Sequence, residues 1–386
     1  MTSEPVSFVF AGDIMCHKQN LDAALVSPAA GQTLSIYDFN PSFEKVAPII
    51  STADFAIANL ETTLPGENLP NGYTGYPHFG SPDSLAGAAK KAGFDILTTA
   101  NNHSFDYGVS GMRRTISALN ELRLRQTGTF TTVEGRNSNP ALIIERNNVR
   151  IGLLNYTYGL NVVTTDEMTS LVHLIDAKTI SNHIDMIRDE VDCVVLYLHW
   201  GREYKTRPSA DQTKLASQLI SYGADAIIGS HPHVIQSFEI RKNRKDRYGR
   251  VNDRIVAYSL GNFFGGQRNR RSDGGMVLQF SVGIRQASES NPARLLPEPI
   301  NSNPSPELRA NGTDRGNKLF FEKVRHELVW IATPDSLREE SVTYQLLPVK
   351  EWRNRTGELT EAARSEMQQF ERDSAGIISG KGGSRN

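Results

Sequence analysis

The chain of 386 residues is long enough for one large domain or two of ordinary size. Hydrophobic residues at 38% and charged residues at 22% fit a globular protein with a real core. A formal net charge of -1 excludes the electrostatic footprint of a nucleic-acid binder or a membrane-surface protein.

In chain order, the start Met1-Thr2-Ser3-Glu4-Pro5 lacks the charge and apolar core of a signal peptide. Two alternatives stay open, a cytoplasmic protein or a chain whose export segment is omitted. Short apolar runs then predict strands over Val6–Ala11, Phe55–Asn59, Ile96–Ala100, Leu142–Glu145, Arg150–Asn155, Cys193–Leu198, Ala226–Gly229 and Ile255–Ser259. Amphipathic patterns between them predict helices over Ser81–Ala92, Gly111–Leu122, Thr179–Glu190 and Pro208–Tyr222. Pro82 at a first helical position and Gly93 as a stop bound the first of these. The alternation implies α/β architecture, sheets covered by helices, in a core spanning residues 5–285.

Residues 286–318 are rich in Ser, Asn, Pro and Glu and read as a flexible loop. Residues 319–350 carry alternating patterns, Phe320–Ile331 and Ser341–Val349, expected as strands that complete the core. A polar helix over Thr360–Asp373 and a frayed tail at 380–384 occupy the rest, 351–386. The basic run 241–245 reads as a solvated hairpin tip. Of the two cysteines, Cys193 sits in an apolar run as a buried hydrophobe, while Cys16 adjoins a candidate ligand and keeps a reactive role open.

Chemistry concentrates just after the strands. Asp13 follows the first; Asn59 and Glu61, then Asn101, Asn102 and His103, follow the next two. His199 follows Cys193–Leu198, and His231 and His233 follow Ala226–Gly229. Open α/β sheets bind ligands outside the carboxyl ends of their strands, so these residues converge on one rim. A mixed oxygen and imidazole set without thiolates suits Zn, Mn, Fe or Co better than Ca and argues against a structural zinc knuckle. The inventory suffices for one or two divalent transition-metal ions, with Mn, Zn and Fe as the expected choices. Singly, Gly12-Asp13 and Asn101-Asn102 read as turns, and His199 as a core histidine. His231-Pro232-His233 stands by itself, because strand geometry would place its two imidazoles on one face. Tyr158, Asn161, Glu203, Gln236 and Asn262 lie on neighbouring loops and, with Asn59, are candidates for shaping a substrate cleft. His78 divides evenly between cleft and exposed loop, and His173, His183 and His326 receive no role.

As a set, Gly12-Asp13-Ile14-Met15, Asn59-Leu60-Glu61, Ala100-Asn101-Asn102-His103, His199-Trp200-Gly201, Gly229-Ser230-His231-Pro232-His233 and Ser259-Leu260-Gly261-Asn262-Phe263 resemble the bacterial capsule-synthesis CapA family. That family is associated with poly-γ-glutamate and forms a branch of the calcineurin-like metallophosphoesterases. The resemblance implies a four-layer α/β/β/α sandwich with a dinuclear centre at the strand ends. It implies that Asp13 and His233 hold a first metal, that Asn102, His199 and His231 hold a second, and that His103, followed by Asp106, serves as the catalytic imidazole. Met15 stands where the superfamily has a histidine, making His17 the nearest substitute, and Glu61 stands where it has a bridging aspartate. The implied function is a metal-dependent hydrolase or transferase of capsule polymer, in a cell-envelope setting. The implied partners are a polyanionic γ-glutamyl polymer or other envelope substrate and membrane-bound capsule synthase subunits, with no nucleic acid. The alternatives are a general nucleotidase-like phosphoesterase and a non-catalytic polymer-binding subunit.

Overall fold

The computed structural model describes residues 3–26, 36–67, 69–285, 318–339, 341–355 and 357–379. The expected loop 286–318, apart from Lys318, and the tail 380–384 lie outside the described residues. Alternation with period two decides the layers. In strand Cys193–His199, Cys193, Val195 and Tyr197 share a core with Phe8, Phe10 and Ile57 of the opposite sheet. Their neighbours Val194, Leu196 and Leu198 pack instead under helices Ala177–Ile187 and Ala210–Ser221 through Ile180, Ile184, Ala216 and Leu219. On the other side, Val9, Ala11, Ala56 and Ala58 lie beneath Leu85, Ala89, Ala118 and Leu119 of helices Asp83–Ala92 and Gly108–Glu121. The result is a four-layer α/β/β/α sandwich.

The first sheet runs in the order Gln345–Pro348, Lys318–Ala332, Gly274–Arg285, Val6–Ile14, Phe55–Leu60, Ile96–Thr98, Arg125–Thr127, with Asn262–Phe264 paired to Val6–Ile14. The second runs Phe238–Lys245, Val251–Ala257, Ala226–Ser230, Cys193–His199, Val149–Thr157, Leu142–Arg146. Both contain parallel blocks whose carboxyl ends stay in register: Asp13 opposite Asn59 and Asn262, Asn59 opposite Thr98, and His199 opposite Ser230 and Thr157. Neighbouring strands therefore deliver their end residues to one rim.

A bulge aims the first of these residues. Phe8 and Phe10 face the sandwich interior, so strict alternation would turn Asp13 to the helix side. The register shifts between Phe10 and Asp13, which returns the Asp13 side chain to the interior. Gly12 permits the shift, since a Cβ there would stand 1.8 Å from the Gly261 carbonyl oxygen. Because backbone cannot yield as a flexible side chain does, Gly12→Ala is expected to cost at least about 1–3 kcal/mol, read as a lowered melting temperature.

The carboxyl-terminal segments extend the first sheet and close its core. The strand expected over Ser341–Val349 is shorter, Gln345–Pro348, because Val349 begins the short helix Val349–Trp352. The last helix runs Glu361–Ile378, and its buried stripe Ala363, Met367, Phe370, Ser374 and Ile377 follows the helical spacing of an apolar face. The basic run 241–245 belongs to the edge strand Phe238–Lys245, where Arg241 pairs with Glu239 and Lys242 with Asp253. No helix among the described residues is long and apolar enough to cross a membrane.

A buried ionic network ties the second sheet to its helix layer. Asp225 accepts from Arg188 at 3.1 Å, Arg254 lies closest to it, and Arg254 also reaches Asp246 at 3.0 Å. Burial alone would raise the Asp225 carboxyl, but Arg250, Arg254 and Arg188 outweigh it and hold it below its ordinary value. A carboxyl depressed in the folded state stabilises above its unfolded pKa, about 3.9, and that contribution is lost as pH falls through the folded value. Asp225→Asn is expected to cost about 3–5 kcal/mol at pH 7, because it strands buried guanidinium charge. In urea titrations the gap to wild type should narrow below about pH 4; a gap independent of pH would remove Asp225 from the network's energetics.

Candidate metal centre

At the rim, Asp13, Glu61 and His199 are completely buried and His231 and His233 nearly so. Two sets of candidate ligand atoms, each mutually within 4.8 Å, share one carboxylate: Asp13, Glu61 and His233, and Glu61, His199 and His231. Asn102 joins the second set, its Oδ1 lying 2.7 Å from His199 Nε2. A third set, Glu203, His231 and His233, lies toward solvent, with Glu203 exposed. Glu203 thus stands among candidate ligands rather than only on the cleft wall. His17 belongs to none of the three sets. It precedes helix Lys18–Ala24, and its Nδ1 accepts the Gly266 N–H at 3.1 Å, so the expected substitution for the missing histidine at Met15 is not made by position 17. Cys16 also stays outside the sets; burial pushes its thiol up, away from the thiolate a ligand requires.

The local chain explains why these side chains converge. The Gly229–His233 turn is seated by His231 N–H on Asp13 Oδ2 at 3.1 Å and by Tyr204 N–H on the Pro232 carbonyl at 2.8 Å. His231 and His233 adopt φ of 96° and 57°, left-handed conformations that cost about 1–3 kcal/mol each and recur at functional sites. Their common aim therefore comes from a strained turn beyond the strand, which ends at Ser230, and not from strand alternation. Asn59 donates to Asp13 Oδ1 at 2.8 Å, and Asn101 donates to Asn59 Oδ1 at 3.2 Å. Ser230 Oγ lies 2.9 Å from His199 Nδ1, and Asn262 Oδ1 lies 3.0 Å from His233 Nδ1. Each partner engages Nδ1; Nε2 of His233 then lies 3.9 Å from Glu61, while Nε2 of His199 lies between Asn102 Oδ1 at 2.7 Å and Glu61 at 3.5 Å.

The electrostatics fit a cation. Both oxygens of Glu61 are buried without a hydrogen-bond donor among the described residues. Its ion-pair neighbours, like those of Asp13, are histidines. Burial, reinforced by Asp13, raises the Glu61 carboxyl well above its ordinary value. Burial acts the same way on Asp13, yet His233 and His199 hold it down at about 2. His233 resists its own burial because Glu61 and Asp13 raise it to about 9, whereas burial lowers His199 to about 3 and His231 to about 2. Asp13 and His233 thus form an ion pair, while burial and Asp13 disfavour the charged form of Glu61, which a divalent ion would stabilise. The orphaned oxygens of Glu61 beside the unprotonated imidazoles of His199 and His231 are a donor set that suits such ions.

His103 stands beside these ligands. Its Nδ1 lies 2.7 Å from Asp106 Oδ2, its Nε2 lies 3.4 Å from the Asn161 amide, and its ring meets Phe79 edge-on at 4.7 Å. Asp106 thereby fixes the ring through Nδ1 and leaves Nε2 on the side of Asn161. Tyr158 covers His231 with ring centroids 4.5 Å apart and remains half-exposed. Gln236 is buried and its amide holds the Lys205 carbonyl at 2.7 Å, so it anchors the loop that carries Glu203. Asn59 and Asn262 are likewise fully buried and act on ligands, not on a cleft surface. Ser230 was visible in the motif but carried no assigned role; only the register with His199 shows it as that ring's partner.

The capsule biosynthesis protein CapA of Bacillus anthracis is 28% identical over 346 residues, covering 87% of this chain and 77% of that protein. The PGA biosynthesis protein CapA of Bacillus subtilis (strain 168) is 27% identical over 242 residues, covering 62% of this chain and 60% of that protein. A putative 5'-nucleotidase from Staphylococcus aureus superposes with a TM-score of 0.44 at 15% identity over 96% of this chain and 58% of its own, a likeness too loose to bear on activity. Residues 7–267, which contain both ligand sets and His103, match the bacterial capsule synthesis protein PGA_cap family, and the chain belongs to that family.

Proposed function

We propose that the protein is a metal-dependent hydrolase or transferase acting on a γ-glutamyl polymer during capsule biosynthesis or processing. The observation that carries the reading is Glu61, a buried carboxylate with no donor, shared by two ligand sets. The CapA names of the relatives supply the polymer. When bound, divalent ions supply a Lewis acid and bring the pKa of a coordinated water toward about 7. Asp13, Glu61 and His233 would hold one ion, and Glu61, Asn102, His199 and His231 the other. Asn59, Ser230 and Asn262 set the tautomers and angles of those ligands through the bonds above. His103 Nε2 is the group placed to hand a proton to a departing amine, with Asp106 securing the opposite nitrogen.

The test is turnover by the metal-loaded chain on synthetic γ-glutamyl oligomers and on a chromogenic phosphodiester, followed by mass spectrometry. Shortened or redistributed γ-glutamyl chains are expected. Phosphodiester turnover with intact oligomers would replace the reading with a general phosphoesterase, and failure to bind metal in a folded chain would leave a polymer-binding subunit.

A further inference from the structure

The two inner ligand sets are closed to solvent. Asp13, Glu61 and His199 are completely buried, and Tyr158 lies across His231 with ring centroids 4.5 Å apart. Of the residues in the three sets, only Glu203 is exposed. Its side chain makes no ion pair or hydrogen bond among the described residues. Its loop is nevertheless fixed. Tyr204 N–H donates to the Pro232 carbonyl at 2.8 Å, with Tyr204 itself in the left-handed region at φ 60°. The buried Gln236 donates to the Lys205 carbonyl at 2.7 Å and to the Arg207 carbonyl at 3.3 Å, and accepts from the buried Gln212 at 3.2 Å. This clamp keeps a free carboxylate on the solvent side, within 4.8 Å of ligand nitrogens on His231 and His233.

His231 and His233 belong to this outer set and also, one each, to the two inner sets. The sets differ in their carboxylates, Glu203 outside and Glu61 with Asp13 within. His231 keeps its Nδ1 buried without a partner among the described residues. A neutral imidazole offers a single ring lone pair, so inner and outer positions on one ring are not filled together. The outer set therefore describes an earlier position of the same ion and not a third resident ion. A divalent ion stripped of all its water on the way to Glu61 would meet a large desolvation cost. Glu203 can replace water first, and Glu61 can then replace Glu203 while one imidazole stays in place. That imidazole is His233 for the Asp13 set and His231 for the His199 set. A buried metal site requires an entry path of this kind.

We propose that Glu203 is the entry ligand of the metal centre: with His231 and His233 it takes a divalent ion from solvent and passes it inward to Glu61. The inference rests on the metal-dependent reading of the site and not on the identity of its substrate. The test is Zn²⁺ uptake by the metal-free full chain, followed by stopped flow with a zinc indicator, and release from the loaded chain to excess chelator. Glu203→Gln is expected to slow uptake about tenfold, the low end of what electrostatic steering adds to association rates. Release should slow by a similar factor, because an entry ligand lowers the barrier in both directions. Equilibrium affinity, read by chelator competition and elemental analysis, should weaken by less than about threefold, the effect of one screened charge nearby. Glu203→Ala should behave alike. Neither change should lower the melting temperature of metal-free protein, since the carboxylate has no partner there. Uptake at wild-type speed in both variants would overturn the entry role and leave the metal centre intact. Equilibrium affinity lost by about tenfold or more would make Glu203 a resident ligand and also overturn it. A folded wild-type chain that takes up no Zn²⁺ would overturn the metal centre itself.

Discussion

Replacing His103 with Ala should lower turnover by about 10²–10⁴-fold while leaving bound metal unchanged, the range general acid–base groups supply. His103 lies in no ligand set, and its Nδ1 is committed to Asp106 at 2.7 Å. Its other nitrogen, Nε2, lies 3.4 Å from the amide of the exposed Asn161. Asp106→Asn should give a smaller loss, because the imidazole stays but loses the partner that fixes its tautomer. Elemental analysis beside the kinetics separates the roles: a His103→Ala chain that loses metal would make His103 a ligand, and undiminished turnover would remove it from the chemistry.

Glu61→Gln should act in two opposite directions. Bound divalent metal should fall by more than about 10–100-fold in affinity, the loss seen even for partners outside the ligand shell. In metal-free protein near pH 7 the same change should raise the melting temperature, since burial and Asp13 hold the donor-less Glu61 carboxyl well above its ordinary value and that shift costs wild type stability above the unfolded pKa. Metal should then stabilise wild type strongly and the variant weakly, because only a ligand bound by the folded state shifts the unfolding equilibrium. Differential scanning calorimetry with and without Mn reads both effects. Equal metal-induced shifts in the two proteins would exclude Glu61 as the shared ligand.

Much of the fold was legible because period-two alternation in Cys193–His199 and helical periodicity in the segments between strands each admit one burial solution. The rim was legible for the same reason, as polar residues placed directly after apolar strands have few other uses. Three features were not. His17 lies near the missing position 15 in sequence, but the turn into helix Lys18–Ala24 commits its Nδ1 to Gly266. His-Pro-His suggested strand alternation, whereas positive φ at both histidines aims the rings. Glu203, Gln236 and Asn262 look alike as polar loop residues, yet one joins a ligand set, one anchors a loop and one holds the His233 ring. Distinguishing them requires contacts across more than twenty residues of chain, which local pattern does not encode.

The metal content of the purified full-length chain, counted by elemental analysis and located by anomalous X-ray scattering, tests the centre most directly. Divalent transition metal lying between Asp13, His233, His199 and His231, with Glu61 on the shared side, is the expected result. A folded chain that binds none after incubation with Mn, Zn or Fe, or that binds it only away from Glu61, would contradict the metal centre.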